Sequence, residues 1–178
     1  MSELVAQQTT ARERSKRAVA LSATQMSRMT LVPIQHDGTV EDLPVSLPSE
    51  WTDVLAGTSG LYQTVGFNPP WICYIAIQAG VAVGTCGFKS APANGRVEIA
   101  YFTFPQYEGR GVATSMAREL VEMTTNQDST LTVAAQTLPI RSASHRVLQK
   151  SGFLLVGSLE HPEDGTVFEW HRKAVSGA

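Results

Sequence analysis

The chain has 178 residues, 43% of them hydrophobic and 17% charged, with a formal net charge of −2. That length and apolar content suit one ordinary domain with a real core, and the near-neutral balance argues against nucleic acid or an anionic membrane surface as partner. No apolar run approaches the roughly 20 residues of a membrane helix, and no apolar block with a small-residue cleavage site opens the chain, so the expectation is a cytoplasmic protein.

Residues 1–27 are polar, with a basic cluster at Arg12, Arg14, Lys16 and Arg17. They read as a frayed or loosely helical arm ahead of a single domain over 28–178. The cluster could touch ribosomal RNA or an acidic partner, but a solvated charged turn accounts for it. MTLVPI (29–34) reads as a first strand. PSEWTDVLAG (48–57) reads as a short helix, started by Pro48 and Ser49 and stopped by Gly57. From there to NPPW (68–71) an irregular surface loop is expected, able to shape a pocket.

From residue 72 the pattern sharpens. ICYIAIQAGVAVGTCGF is two β-rich runs joined at Ala79-Gly80, and Asn94-Gly95 marks a second hairpin turn, since that pair tolerates the positive φ such turns require. Three antiparallel strands follow at 72–78, 81–88 and 96–104. In VATSMARELVEM, Val112, Met116, Leu120 and Met123, with Ala113 and Ala117, recur at helical spacing and mark one buried face. TLTVAAQT (130–137) is a further strand, so strand, helix and strand make a parallel crossover, expected to be right-handed. IRSASHRVLQKSGF gives a second helix closed by Gly152. FLLVGSL and TVFEWHRK flank HPEDG as a last hairpin. The fold class is α+β, on a mixed, mainly antiparallel sheet flanked by helices. Cys73 and Cys86 lack metal or redox spacing and read as core residues of a reducing compartment.

The junction QYEGRGVA (106–113) poses the functional question. A helix start offers unpaired N–H groups and the positive end of the macrodipole, a natural anion seat. Gly109 and Gly111 would let successive N–H groups converge, and Arg110 adds a permanent charge. A tight strand-to-helix turn would explain the glycines equally well. The Walker pattern is missing, and the Rossmann pattern matches two glycines but meets Thr114 in the third place, after an antiparallel meander instead of a first parallel strand.

In full context, VEIAYFTFPQYEGRGVATSMARELVEM, followed by IRSASHRVLQKSGF and HPEDGTVFEW, resembles the GNAT superfamily of acyl-CoA-dependent N-acetyltransferases, most of all the branch of ribosomal-protein N-terminal acetyltransferases. The likeness spans roughly residues 71–173. It implies a pyrophosphate loop with main-chain donors at Glu108, Gly109, Arg110, Gly111, Val112, Ala113 and Thr114, where Glu108 replaces a usual basic or amide side chain. It implies that the backbone of Phe102 and Thr103 pairs with the pantetheine arm of acetyl-CoA, which requires the strand at 96–104 to splay from the one at 130–137. Arg141 stands where the family often has a coenzyme-contacting Asn, and Leu148 where it often has a tyrosine acid. Ser144 keeps a hydroxyl at a place some relatives use.

Acetyl transfer needs an unprotonated amine, so some group must accept a proton. Glu98 is the candidate base. In VEIAYF, Val97, Ile99 and Tyr101 face one side and Glu98, Ala100 and Phe102 the other; a carboxylate there must face water or work, and the matching glutamate of some relatives is a base. Backbone N–H groups of the splayed strand would polarise the thioester carbonyl. The expectation is therefore direct transfer from acetyl-CoA to a primary amine, either a small molecule or a protein N-terminus. No metal is expected, since His36, His145, His161 and His171 lack ligand spacing. His145 reads as an exposed helical residue, and Trp51, Trp71 and Trp170 as core or loop anchors, with Trp71 of interest because NPPW would border the acceptor groove. The rivals are a catalytically silent acyl-CoA-binding module of the same fold and a dinucleotide oxidoreductase. Assembly state is not legible; a homodimer is compatible with everything above.

Overall fold

A computed structural model describes residues 29–41, 47 and 51–173. The expected arm over 1–27 and the helix-start pair Pro48-Ser49 lie outside the described residues. The elements run β1 (Thr30–Pro33), α1 (Trp51–Val65), β2 (Cys73–Gln78), β3 (Val81–Phe88), β4 (Arg96–Thr103), a 3-10 turn (Pro105–Tyr107), α2 (Val112–Gln127), β5 (Thr132–Thr137), α3 (Ala143–Lys150), β6 (Leu154–His161) and β7 (Gly165–Lys173). They form one seven-stranded sheet in the order β1-β2-β3-β4-β5-β7-β6. Every neighbouring pair is antiparallel except β4 and β5, which α2 joins as a parallel crossover. The mixed, mainly antiparallel α+β architecture is the one the sequence pattern implied.

Both turns read from the sequence form as expected. Ala79 and Gly80 have φ of 51° and 74°, and Asn94 and Gly95 have 51° and 71°. Two successive positive φ values match the right-handed twist of the strands they join. Around Asn94-Gly95, Ala93 and Arg96 exchange N–H···O bonds of 2.9 and 3.0 Å.

The larger core lies on one face of the sheet. Met116, Ala117, Leu120 and Val121 of α2 and Leu148 of α3 pack on Tyr74, Cys86, Val97, Ile99, Val133 and Trp170. Each large apolar side chain buried this way contributes roughly 1.5–3 kcal/mol. A smaller cluster, with Ile34, Ile75, Ile77 and Trp51, covers the other face near β1. Both cysteines are free, and burial pushes both thiols up.

Two expectations fail in the segment before β2. Gly57 does not stop α1, which continues through Gly60 to Val65, and the chain over 58–65 is helix rather than loop. The reason is non-local. The Tyr62 hydroxyl donates to the Ile34 carbonyl at 3.1 Å and accepts the Cys73 N–H at 2.8 Å, and its ring sits edge-on to Phe67. That anchor outweighs the roughly 1 kcal/mol that each internal glycine costs a helix. The helix ends instead at Gly66, with φ of 85° and its N–H bonded to the Tyr62 carbonyl. No helix among the described residues is long and apolar enough to cross a membrane.

Candidate active site

β4 changes its bonding halfway along. Arg96, Val97 and Glu98 pair with Thr132, Val133 and Ala134 of β5, and the pairing ends there. On its other side β4 stays in register with β3 as far as Thr103, opposite Gly84. β5 meanwhile stays paired to β7 through Thr137. Residues 99–103 therefore line a wedge with a strand partner on one side alone, which is the splay the resemblance requires. Phe102 lies exposed on this stretch. Thr103 directs a buried hydroxyl that has no hydrogen-bond partner among the described residues, an arrangement that favours a polar ligand close by.

Tyr101 ties the wedge to the helices. Its side chain packs against the main core, and burial pushes its hydroxyl up to about 12 while a hydrogen bond with Ser144 of α3 acts the other way. Ser144 is thus brought to β4 from a helix some forty residues later in the chain. Sequence reading placed Tyr101 on the core side without seeing this bond.

The wedge opens onto the glycine loop. After the turn at Pro105–Tyr107, Gly109 and Gly111 adopt φ of 72° and 83°. Gly111 is the N-cap of α2 and no side chain caps that end. The N–H groups of Val112, Ala113 and Thr114 thus have no intrahelical acceptor, the ladder beginning with Ser115 N–H to the Gly111 carbonyl at 3.0 Å. A Cβ at either glycine would meet nothing within 4 Å, so it is backbone conformation and not crowding that demands glycine, and the space before the loop is open. Buried Val112 pins the helix start to the core. Glu108 is exposed, and the Arg110 guanidinium carbon stands 5.8 Å from the Tyr107 ring, which keeps a cation beside the loop.

Glu98 occupies the apex of the wedge, on the last paired rung. The sequence left it two options, water or work, and the structure adds a third. Its carboxylate lies between Lys89 Nζ at 2.7 Å and Arg96 Nη2 at 2.9 Å, with 11% of the side chain exposed. Arg96 also binds Glu169 Oε1 at 2.7 Å, and His171 Nε2 lies 2.9 Å from the same oxygen. Burial works to raise the Glu169 carboxyl, but the bonds from Arg96 and His171 outweigh it and hold it below the ordinary range. Sequence reasoning missed Lys89, Arg96 and Glu169. Arg96 was within reach, two residues before Glu98 and hence on the same strand face.

The second-helix residues divide. Arg141 is exposed ahead of α3, while Leu148 is fully buried in the core. His145 is not the exposed residue expected. It is half-buried, with Nε2 3.0 Å from the Leu138 carbonyl and its ring 5.4 Å from Trp170, so it pins α3 to the chain leaving β5. Trp51 packs on Phe104 at 4.3 Å, and Trp170 donates Nε1–H to Thr137 Oγ1 at 3.0 Å; both are core anchors. Trp71 packs edge-on against Phe88 at 5.0 Å. No group of three or more His, Cys, Asp or Glu among the described residues could hold a metal ion.

A one-sided strand edge thus runs to an uncapped helix N-terminus, and comparison supplies the family. Residues 28–154 match the model of the Acetyltransferase (GNAT) domain, and the chain belongs to that family. Comparison with curated proteins gives no significant match. Among solved structures, the fold is similar to that of RimL, a ribosomal-protein alpha-N-acetyltransferase, with a TM-score of 0.63 at 15% identity over 85% of this chain and 96% of that one. It is also similar to the microcin C7 self-immunity acetyltransferase MccE in complex with acetyl-CoA and AMP, with a TM-score of 0.57 at 14% identity over 70% and 71% of the two chains. A third likeness is to the aminoglycoside acetyltransferase AAC(6')-Ib in complex with coenzyme A, with a TM-score of 0.51 at 23% identity over 57% of this chain. There the chain spans 65% of the other protein's length, just under two thirds.

Proposed function

We propose that the protein transfers an acetyl group from acetyl-CoA directly to a primary amine in a ternary complex. The observation that carries this reading is the one-sided edge of residues 99–103, which ends at the uncapped start of α2. Five residues of strand span about 16 Å at 3.3 Å each, room for an extended arm laid along Phe102 and Thr103 as an added strand. Its pyrophosphate would sit on the N–H groups over 108–114, where Arg110 offsets Glu108. Arg141 would offer a second cation. Because those donors are main-chain groups, Glu108 leaves them intact.

In the transfer, the amine nitrogen attacks the thioester carbonyl, the C–S bond breaks, and the amine sheds a proton as the departing thiolate gains one. Glu98 at the apex takes the amine proton, through water because Lys89 and Arg96 already hold its oxygens. Ser144, bonded to Tyr101, is the hydroxyl placed to supply the thiolate. The acceptor is a small-molecule amine or a protein N-terminus, and acetyl-CoA with two free cysteines fits work in the cytoplasm.

The burial of Leu148, where a tyrosine acid would stand, favours a second reading, a domain that binds acyl-CoA without turnover. An acceptor panel spanning peptides with free N-termini, amino acids, polyamines and aminoglycosides, assayed for coenzyme release, separates the two. Acetyl-CoA at a hundred times its Kd should raise stability by about 2.7 kcal/mol in a thermal-shift assay, and NAD should leave it unchanged. Binding with no turnover on any acceptor favours the silent module; no binding at all would sink both.

A further inference from the structure

β6 is the outermost strand at one side of the sheet, and its free edge is apolar. Leu154, Leu155 and Val156 expose 73%, 49% and 54% of their surfaces. Edge strands present unpaired main-chain groups, and soluble proteins usually blunt them with charge, proline or a cover. Residues 154–159 contain neither charge nor proline, although a bulge interrupts the register between Leu155 and Gly157.

The charge around this edge is polar. At its start, β6 borders a groove of about 830 Å³ lined by Arg118, Lys150, Arg172 and Lys173 together with Leu154 and Val156. The hydrogen bonds of these cations go to neutral oxygens. Arg118 donates to the Lys150 carbonyl at 3.1 Å, Arg172 to the Ser151 carbonyl, and Lys173 to Thr132 Oγ1 at 3.2 Å. At the other end β6 turns into a hairpin with exposed Glu160, Glu163 and Asp164. One strand thus joins a basic groove to an acidic tip through an apolar middle.

We propose that this edge pairs with the same edge of a second copy of the chain, two β6 strands running antiparallel about a two-fold axis between Val156 and Gly157. That operator lays each apolar stretch on its twin and carries each acidic tip to the partner's basic groove, the self-complementarity an isologous interface needs. Other occupants match less well. The chain's own N-terminal stretch carries Arg12, Arg14, Lys16 and Arg17 and would meet like charge in the groove. A nucleic acid would suit the groove but be repelled by the acidic tip and gain nothing from the leucines.

Sedimentation velocity of the full-length protein across the micromolar range, at low and high salt, is the test. The wild type should sediment at twice the monomer mass, more weakly at high salt. Val156→Asp should give monomer. Glu163→Lys with Asp164→Lys should weaken association by about tenfold, and adding Lys150→Glu with Lys173→Glu should restore it. If Val156→Asp loses its far-UV circular dichroism, Leu159→Glu takes its place. A monomeric wild type overturns the proposal, as does a dimer indifferent to these substitutions. A monomer that retains heparin or polyuridylate in the groove also overturns it and gives the groove to a polyanion.

Discussion

The two halves of β4 share one strand and one face pattern, yet they are built for opposite purposes. Residues 96–98 pair with β5 on one side and are tied on the other by the turn before them, through Lys89 N–H to the Glu98 carbonyl and the Ala93–Arg96 exchange, and their charges are locked into a chain from Lys89 through Glu98, Arg96 and Glu169 to His171. Residues 99–103 are bonded on one side and face a wedge. The rigid half fixes where the flexible backbone potential of the other half is presented. Open strand edges normally invite aggregation; here the neighbouring strands shelter the edge, so it can serve a ligand.

The sharpest way to break this comparison is to remove the charge at the apex. Glu98→Gln should lower kcat by about 100-fold or more, within the range general-base catalysis supplies. Acetyl-CoA affinity, read by calorimetry, should stay within a few-fold, because the groups proposed to hold the coenzyme, from Phe102 to Thr114, all lie beyond Glu98. A parallel fall in affinity and thermal midpoint would instead make Glu98 a clamp of the strand and remove it from the chemistry.

The next effect belongs to the open half. Gly111 has φ of 83° with free space around it, so Gly111→Val introduces strain without a clash. A side chain in the left-handed region costs about 1–2 kcal/mol, and relaxing the loop would spoil the convergence of its N–H groups. Coenzyme Kd should rise about tenfold, the equivalent of 1.4 kcal/mol. Equilibrium binding that is unchanged in this variant would show that the pyrophosphate does not use the loop.

Much of this was legible in the sequence because it is local. Positive φ at Asn94-Gly95, the 3.6-residue stripe from Val112 to Leu120 and the face alternation around Glu98 depend on neighbours within a few residues. What escaped depends on distant partners. Gly57 reads as a helix stop until Tyr62 is seen bonding to Ile34 and Cys73. Glu98 reads as a lone carboxylate until Lys89 crosses from the hairpin and Arg96 turns out to be shared with Glu169, 73 residues along the chain. Ser144 and Tyr101 meet only because α3 returns beneath β4. The candidate residues could be named from motif; how they are held could not.

The clamped half carries a pH signature. The Glu169 carboxyl lies below its ordinary value of 4.5 in the folded protein, so the stabilisation is fully present above that value and is lost as pH falls through the folded one. Glu169→Gln should therefore reduce stability by about 1–3 kcal/mol near neutral pH. The gap between the two proteins should close in acid. Thermal midpoints of both across the acid range test this, and a gap that persisted below the ordinary carboxylate range would mean the residue stabilises by packing alone.

The smallest effect turns on what a glycine means. Gly57 and Gly60 resemble Gly109 and Gly111 in sequence: two glycines a few residues apart, with nothing within 4 Å of the missing Cβ at any of the four. They differ in conformation, for the pair in α1 lies within a helix and lacks positive φ, whereas the loop pair has φ of 72° and 83°. Alanine at Gly60 therefore meets neither strain nor a clash, and it removes the conformational freedom the unfolded chain would otherwise hold. Gly60→Ala should stabilise the protein by about 0.4–1 kcal/mol, with activity unchanged, whereas Gly109→Ala should destabilise it. If both substitutions moved the denaturation midpoint the same way, backbone conformation would not be what separates the two pairs, and the assignment of the loop as a purpose-built turn would lose its physical basis.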